Sequence, residues 1–318
     1  QIQTGYATPT DINYRLKFHK LTIAGTGNKT LANPNDDTPA NDFVLVRDTV
    51  VLQSGNFVSN GYNLKVLSGW RTVPGATFDA GTGLVNFEAE GKDILVRSNG
   101  IQFNNLSVTG SFNGIVNYLD SMTIGGNLTI TTANLKDFNN TALSIRGNFT
   151  NAGKFMSGTG RVYFNGSGDQ SLINNSTSNS HFYNLTVNKP TGMVKIDGAS
   201  LVKVTNNLTL TKGNIGGRTS SSVPNKPLVV DGTITRTGTT PGHVDGRLRL
   251  TTTEGAFTRN FEIGLGNDYA PMKFDVTGPG GAAGYLDAYV LFETDAPNIT
   301  RSVIETQVSN GPELDSTK

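Results

Sequence analysis

The chain has 318 residues, a formal net charge of +1, 16% charged residues and no cysteine. That near-neutral balance gives no electrostatic case for nucleic acid or an acidic membrane surface, and the absent cysteines exclude disulfide staples. No apolar run reaches the roughly 18 residues that a membrane-spanning helix needs.

Residues 1–20 read as a lead-in segment in which Tyr14, Leu16 and Phe18 alternate. From Leu21 a short strand written apolar–x–apolar recurs. The units are Leu21-Thr22-Ile23, Val44-Leu45-Val46, Leu64-Lys65-Val66, Val85-Asn86-Phe87, Leu106-Ser107-Val108 and Leu128-Thr129-Ile130. They continue as Leu143-Ser144-Ile145, Val162-Tyr163-Phe164, Leu185-Thr186-Val187, Leu208-Thr209-Leu210, Leu228-Val229-Val230 and Leu248-Arg249-Leu250. The gap from Leu128 to Leu143 is 15 residues, and the others lie between 19 and 23. A strand alternates its faces, so each unit puts two apolar side chains on one side and one, mostly polar, on the other. A fixed period of about 20 residues is too short for helical-pair repeats and suits one turn of a parallel β-helix. The intervals are rich in Gly, Asn, Thr and Ser, which supply turns.

Between these units, residues 32–42 form an acidic, Pro-containing loop, and residues 43–235 read as regular solenoid with a polar loop at 216–227. A longer period of about 80 residues is superimposed. Phe18 to Ile23 recurs as Phe103 to Val108 and Phe182 to Val187, and Val50 to Phe57 recurs as Leu128 to Leu135 and Leu208 to Ile215. Internal duplication of about four rungs is the simplest origin. From His243 the strands lengthen and alternate more cleanly, as in Phe257 to Ile263, Met272 to Val276 and Tyr285 to Thr294. Short turns between them predict antiparallel pairing. The expected fold is therefore all-β. Residues 1–242 form a right-handed parallel β-helix of about twelve rungs, and residues 243–318 form an antiparallel cap or small sandwich covering the last rung.

Two blocks bring a family into view. Phe182 to Val187, Asn206 to Ile215 and Gly158 to Gly166 resemble β-helical repeats of large secreted surface proteins of Bacteroidota. The tail is similar too, through Val244-Asp245-Gly246-Arg247-Leu248, Phe261-Glu262-Ile263-Gly264 and Tyr269-Ala270-Pro271-Met272. The resemblance covers nearly the whole chain and implies export by the type IX system to the cell surface. It further implies service as an adhesin, a gliding-related surface protein or the stalk of a multidomain enzyme. It also makes Asp48-Thr49-Val50 and Asp120-Ser121-Met122 candidate O-glycosylation sites at Thr49 and Ser121. The start at Gln1, without Met or an apolar leader, reads as a mature or excised piece.

Candidate chemistry is sparse. A carbohydrate-active β-helix needs acids stacked on neighbouring rungs, for paired acid and base work or for Ca²⁺. The outward middle positions of the twelve units hold no Asp or Glu. Glu88, Glu90 and Asp93 lie close in sequence, but no acid cluster matches them one rung away. Asp36, Asp37 and Asp42, crowded with Asn33, Asn35 and Asn41, make a candidate Ca²⁺ loop that fits no EF-hand; the alternative is a solvated turn. Gly266-Asn267-Asp268 is a second such loop. His19, His181 and His243 are far apart, with no second His or Cys to complete a metal site. Trp70, the one Trp, is a candidate glycan contact or a packing residue, whereas Phe18, Phe103 and Phe182 read as core. Asn63, Asn105, Asn127, Asn184 and Asn207 precede the unit Leu. Stacked Asn amides would make ladders of two rungs at most, Asn105 with Asn127 and Asn184 with Asn207.

The reading is thus a non-enzymatic cell-surface structural or adhesin module without a cofactor beyond the candidate Ca²⁺. Its expected partners are polysaccharide or other surfaces, the rest of a larger polypeptide and the secretion machinery. Neither nucleic acid nor a membrane span is expected. The alternatives are a polysaccharide lyase or hydrolase and passive secreted cargo.

Overall fold

The computed structural model describes residues 14–31, 43–178, 180–217, 226–277, 283–294 and 300–309. Among them every regular element is a strand and none is a helix. The chain forms two compact units, Gln1–Gly166 with Asn175–Ser180, and Ser167–Asn174 with His181–Lys318.

The first unit is a parallel solenoid built from three short strands per turn. Ladder I stacks Tyr14–Phe18, Phe43–Val46, Asn63–Val66, Leu84–Ala89, Asn105–Gly110, Leu128–Ile130 and Phe149–Asn151 in parallel. Ladder II has seven strands, Leu21–Ile23, Thr49–Leu52, Gly69–Thr72, Asp93–Arg97, Ile115–Tyr118, Asn134–Asp137 and Lys154–Met156. The third side is split: Asn28–Thr30, Asn56–Val58 and Thr77–Asp79 form one parallel set, and Gln102–Phe103, Met122–Ile124, Ala142–Ile145 and Arg161–Phe164 another.

Alternation explains the core. In Leu128–Ile130 the two apolar side chains are buried and Thr129 is half-exposed between them. The same inward positions on successive turns, Val66, Phe87, Val108 and Ile130, are fully buried, so each turn's apolar pair packs on the next. At a corner, Asn140 adopts φ 59°, and its Oδ1 accepts the Thr159 N–H of the following turn at 2.7 Å. Asn tolerates this left-handed conformation better than most residues because its short amide bonds locally.

The Asn ladder exists in altered form. The Asn127 N–H donates to Asn105 Oδ1 (2.9 Å) and the Asn148 N–H to Asn127 Oδ1 (2.8 Å). It spans three turns rather than two and runs from amide to backbone rather than from amide to amide. A scheme in which the backbone N–H donates needs no Leu after the Asn, so Asn148, which precedes Phe149, joins it. In the second unit Asn184 Oδ1 accepts from Asn206 Nδ2 (2.8 Å), the neighbour of the expected Asn207.

The parallel solenoid has about nine turns, not twelve. The units do not mark one rung each, because they sit on different sides of the coil. Leu128–Ile130 lies in ladder I and its next-turn partner is Phe149–Asn151; Leu143 lies on the third side, two strands later on the same turn. The 15-residue gap is therefore a change of side. The 80-residue period fails as a structural repeat for the same reason. Leu21 falls in ladder II and its counterpart Leu106 in ladder I, while Val50 falls in ladder II and its counterpart Leu128 in ladder I. The motif Phe-x-x-Leu-x-apolar encodes strand, corner, strand at two of its three occurrences: Phe18 and Leu21, like Phe103 and Leu106, flank a corner, whereas Phe182 and Leu185 lie in one strand with a register shift between Phe182 and Asn184.

The second unit also begins with parallel strands. Phe182–Asn188, Val202–Lys212, Leu228–Val230 and Leu248–Thr252 stack in that order, and Gln170–Asn174, Val194–Asp197 and Ile215–Gly216 form another ladder. Parallel pairing thus continues past residue 243 to Leu248–Thr252. There the direction changes: Gly284–Thr294 pairs antiparallel with Leu248–Thr252 and then with Thr300–Ser309. Phe257–Phe261 pairs antiparallel with Met272–Val276, and Gly264–Leu265 with Asp268–Tyr269. Cross-strand partners Arg249 and Asp287 meet at the first junction. The Asp287 carboxylate, 1% exposed, accepts from Arg249 (2.7 Å) and from Arg247, and the Arg249 guanidinium stacks 3.6 Å over the Tyr285 ring.

Candidate functional site

Three of the sequence candidates, Asp36, Asp37 and Asp42, lie outside the described residues. Among the described residues, no group of three or more His, Asp or Glu side chains is placed to hold a metal.

Trp70 is corrected. It sits on the inward face of Gly69–Thr72, 1% exposed, with its ring 5.0 Å from Phe78 and 5.1 Å from Phe103, while Nε1 donates to Thr72 Oγ1 at 3.0 Å. No face is open for a sugar ring. Ser68-Gly69 resembles a turn, yet the strand begins at Gly69 and its alternation drives the indole inward. Phe103 (0% exposed) and Phe182 (5%) are core, as expected, whereas Phe18 is half-buried.

Thr49 opens a ladder II strand, half-buried, with Oγ1 donating to Asp48 Oδ1 at 3.0 Å. Ser121 is exposed, and its neighbour Asp120 accepts the Ser98 and Asn99 N–H groups at 2.8 and 2.7 Å.

The acids near residue 90 are not brought together. Glu88 faces outward on ladder I and pairs with Lys65 of the preceding turn (3.1 Å). Asp93 begins a ladder II strand and accepts from Asn117 Nδ2 at 3.2 Å, and Glu90 is exposed beyond the end of its strand.

The densest polar cluster lies in the second unit, around a groove of about 550 Å³. Its walls come from corners of successive turns. Asn214 bridges them: its Oδ1 accepts the His243 N–H at 3.1 Å and its Nδ2 donates to Gly266 O at 2.7 Å. The Gly264–Leu265 and Asp268–Tyr269 hairpin closes one end, held where the Gly266 N–H donates to Asp245 Oδ2 at 3.0 Å. Tyr269 is 38% exposed, with the Arg236 guanidinium 3.4 Å over its ring and its hydroxyl donating to Glu262. Burial, then the bond to Glu262, pushes the Tyr269 hydroxyl pKa up.

Two groove-lining side chains keep unmet polar atoms. Asp245 Oδ1 and His243 Nε2 are buried with no hydrogen-bond partner among the described residues. Burial holds the His243 pKa below its ordinary value, against the opposing pull of Asp245, so the ring is neutral at pH 7. At the other wall, the hydrogen bond from Lys195 (2.6 Å) and then the Met193 N–H lower the Asp169 pKa. Beside this region Lys189 is fully buried, donates to Gln170 Oε1 at 2.6 Å, and is pushed down by desolvation to about 8.

The sequence motif Val244-Asp245-Gly246 marks one wall of this groove, but nothing in its spacing connects it to Asn214 or Tyr269. Those contacts exist because parallel stacking places corners more than 20 residues apart in register. His19 and His181 stand apart from the cluster: His19 belongs to the first unit, and His181 does not line the groove. Asn267 lines the groove from the hairpin tip, next to Asp268.

Compared with known proteins, the chain matches no family model, no curated protein and no solved structure. Among the described residues no helix is long and apolar enough to cross a membrane.

Proposed function

We propose that the chain is a non-enzymatic structural or adhesin module of an exported cell-surface protein, of the β-helical kind found in type IX-secreted proteins of Bacteroidota. The observation that carries this reading is the fate of the outward acids in the first unit. Glu88 is bound to Lys65, Asp93 to Asn117 and Asp120 to the backbone of the preceding turn. Glycoside cleavage by two carboxylates needs both to converge on one bond, and these acids serve neighbouring turns instead.

The role is mechanical. Seven turns at about 4.8 Å per turn give the first unit roughly 34 Å of stacked backbone. Such stacking suits projection of a distal element or weak repeated contact with polysaccharide or another surface. In the second unit the Gly284–Thr294 strand occupies the free edge of Leu248–Thr252, which supports a capping role. The partners on this reading are the rest of a larger polypeptide, the secretion machinery and the surface contacted. A polysaccharide lyase or hydrolase remains the competing enzyme reading, and passive cargo the competing non-enzyme one. Incubating the purified chain with a polysaccharide panel and analysing the products tests the first: no new reducing ends or unsaturated products are expected, and either would refute the structural reading.

A further inference from the structure

We propose that the groove of the second unit, between Asn214, His243, Asp245 and Tyr269, binds a neutral, hydroxyl-rich ligand, a short segment of a glycan chain. This gives the adhesin form of the proposed function a place, and it rests on that reading only for the idea that the chain meets glycans at all.

Size is the first argument. About 550 Å³ lies within the range of roughly 300–1,000 Å³ typical of small-molecule sites. Unmet hydrogen-bonding capacity is the second. Buried polar atoms without partners are rare and carry a desolvation cost. Here two of them, Asp245 Oδ1 and His243 Nε2, belong to side chains lining the same groove. A carboxylate oxygen only accepts, and a neutral imidazole nitrogen accepts or donates according to its tautomer. A ligand bearing several hydroxyls supplies both kinds of partner; because both atoms are closed off from solvent, its entry requires the Gly264–Leu265 and Asp268–Tyr269 hairpin to move and to give up the Gly266 bonds to Asp245 and Asn214.

Charge supplies the third argument. Asp169 is neutralised by Lys195 and His243 is uncharged, which leaves one base, Lys212, and one acid, Asp245, among the other lining residues. Nothing there selects a phosphate, a polyanion or a divalent cation, and the described residues hold no ligand set for a metal. Periodicity adds the fourth. The walls are corners of successive turns, so polar groups repeat about every 4.8 Å along the coil, close to the length of one pyranose residue in an extended chain. Exposed Thr240 and Asn267 stand at the groove wall.

The test uses the full chain and neutral β-glucan, xylan, mannan and galactan oligosaccharides, titrated calorimetrically and by amide chemical-shift mapping. At least one should bind, with shifts at Asn214, His243, Asn267 and Tyr269. Thr240→Trp, which fills the groove from its exposed rim, should abolish binding. Asp245→Asn should weaken it about tenfold by removing a charged acceptor. Because Asp245 is buried, Asn267→Ala, at an exposed position of the hairpin turn, serves as the second variant and should weaken binding severalfold, with its fold checked by its amide spectrum. Binding that survives Thr240→Trp overturns the proposal, as does binding confined to anionic glycans, or no binding at about 10 mM ligand. In each of those cases the mechanical reading stands or falls separately, on the cleavage assay.

Discussion

The two units handle buried polarity in opposite ways. In the first, the buried polar side chains described are mainly amides and hydroxyls such as Ser59, Asn117, Asn134 and Ser157; Asp137 is the one carboxylate, joined by no Lys, Arg or His. In the second, Lys189, His243, Asp245 and Asp287 are all buried. Regular stacking explains the first pattern. Each turn offers the next a fixed set of backbone donors and acceptors, and a neutral amide or hydroxyl meets them without the desolvation cost of a charge. Charges gather where the repeat ends or bends: at the switch from parallel to antiparallel pairing, and around the groove.

The comparison breaks most visibly if either core is opened. Asp287→Ala leaves Arg247 and Arg249 without their shared partner and should cost about 3–5 kcal/mol, read as a shift in denaturation midpoint. The same substitution should loosen the Leu248–Thr252 and Gly284–Thr294 pairing in hydrogen exchange while leaving ladder II amides protected. Trp70→Ala should cost a similar amount, about 3–5 kcal/mol, through a cavity beside Phe78 and Phe103, with exchange rising in the first unit. Equal losses of protection in both units from either variant would contradict the division.

Lys189 sharpens the contrast by pH. Its folded pKa of about 8 is below its ordinary 10.5. Between those values the unfolded chain binds more protons than the folded one, so stability rises with pH from about 8 to 10.5. Burial of the charged amine is a cost at pH 7, and it is relieved as the amine deprotonates. Lys189→Met should remove this rise and stabilise the second unit at pH 7, by up to about 3 kcal/mol. A denaturation series from pH 7 to 10.5 in both proteins measures it, and identical slopes would contradict the assignment. The smallest effect belongs to the Asn ladder. Asn127→Ala removes one axial acceptor and should cost about 1 kcal/mol, with faster exchange at the Asn148 amide.

Much of this was legible in the sequence. The apolar–x–apolar units are strands, the alternation chooses the core, and the antiparallel strands at Phe257, Met272 and Tyr285 fall within a residue or two of their predicted bounds. What the period did not carry is which side of the coil a strand occupies. Each side uses the same short pattern, so Leu128 and Leu143 read as successive rungs although they share a turn. Trp70 was ambiguous because Gly69 suggests a turn until the strand's register is known. The groove was hidden for a different reason: Asn214, Asp245 and Tyr269 converge through turn stacking, and single-sequence spacing carries no register between corners. Nothing in the sequence around Lys189 signals its burial either.

The central claim is that these stacked turns hold their acids for structure, not for catalysis. Its most direct measurement is product analysis after prolonged incubation of the full chain with a broad polysaccharide panel, run beside Glu88→Gln. The account predicts no cleavage by either protein. Cleavage by the wild type that disappears in Glu88→Gln would contradict it.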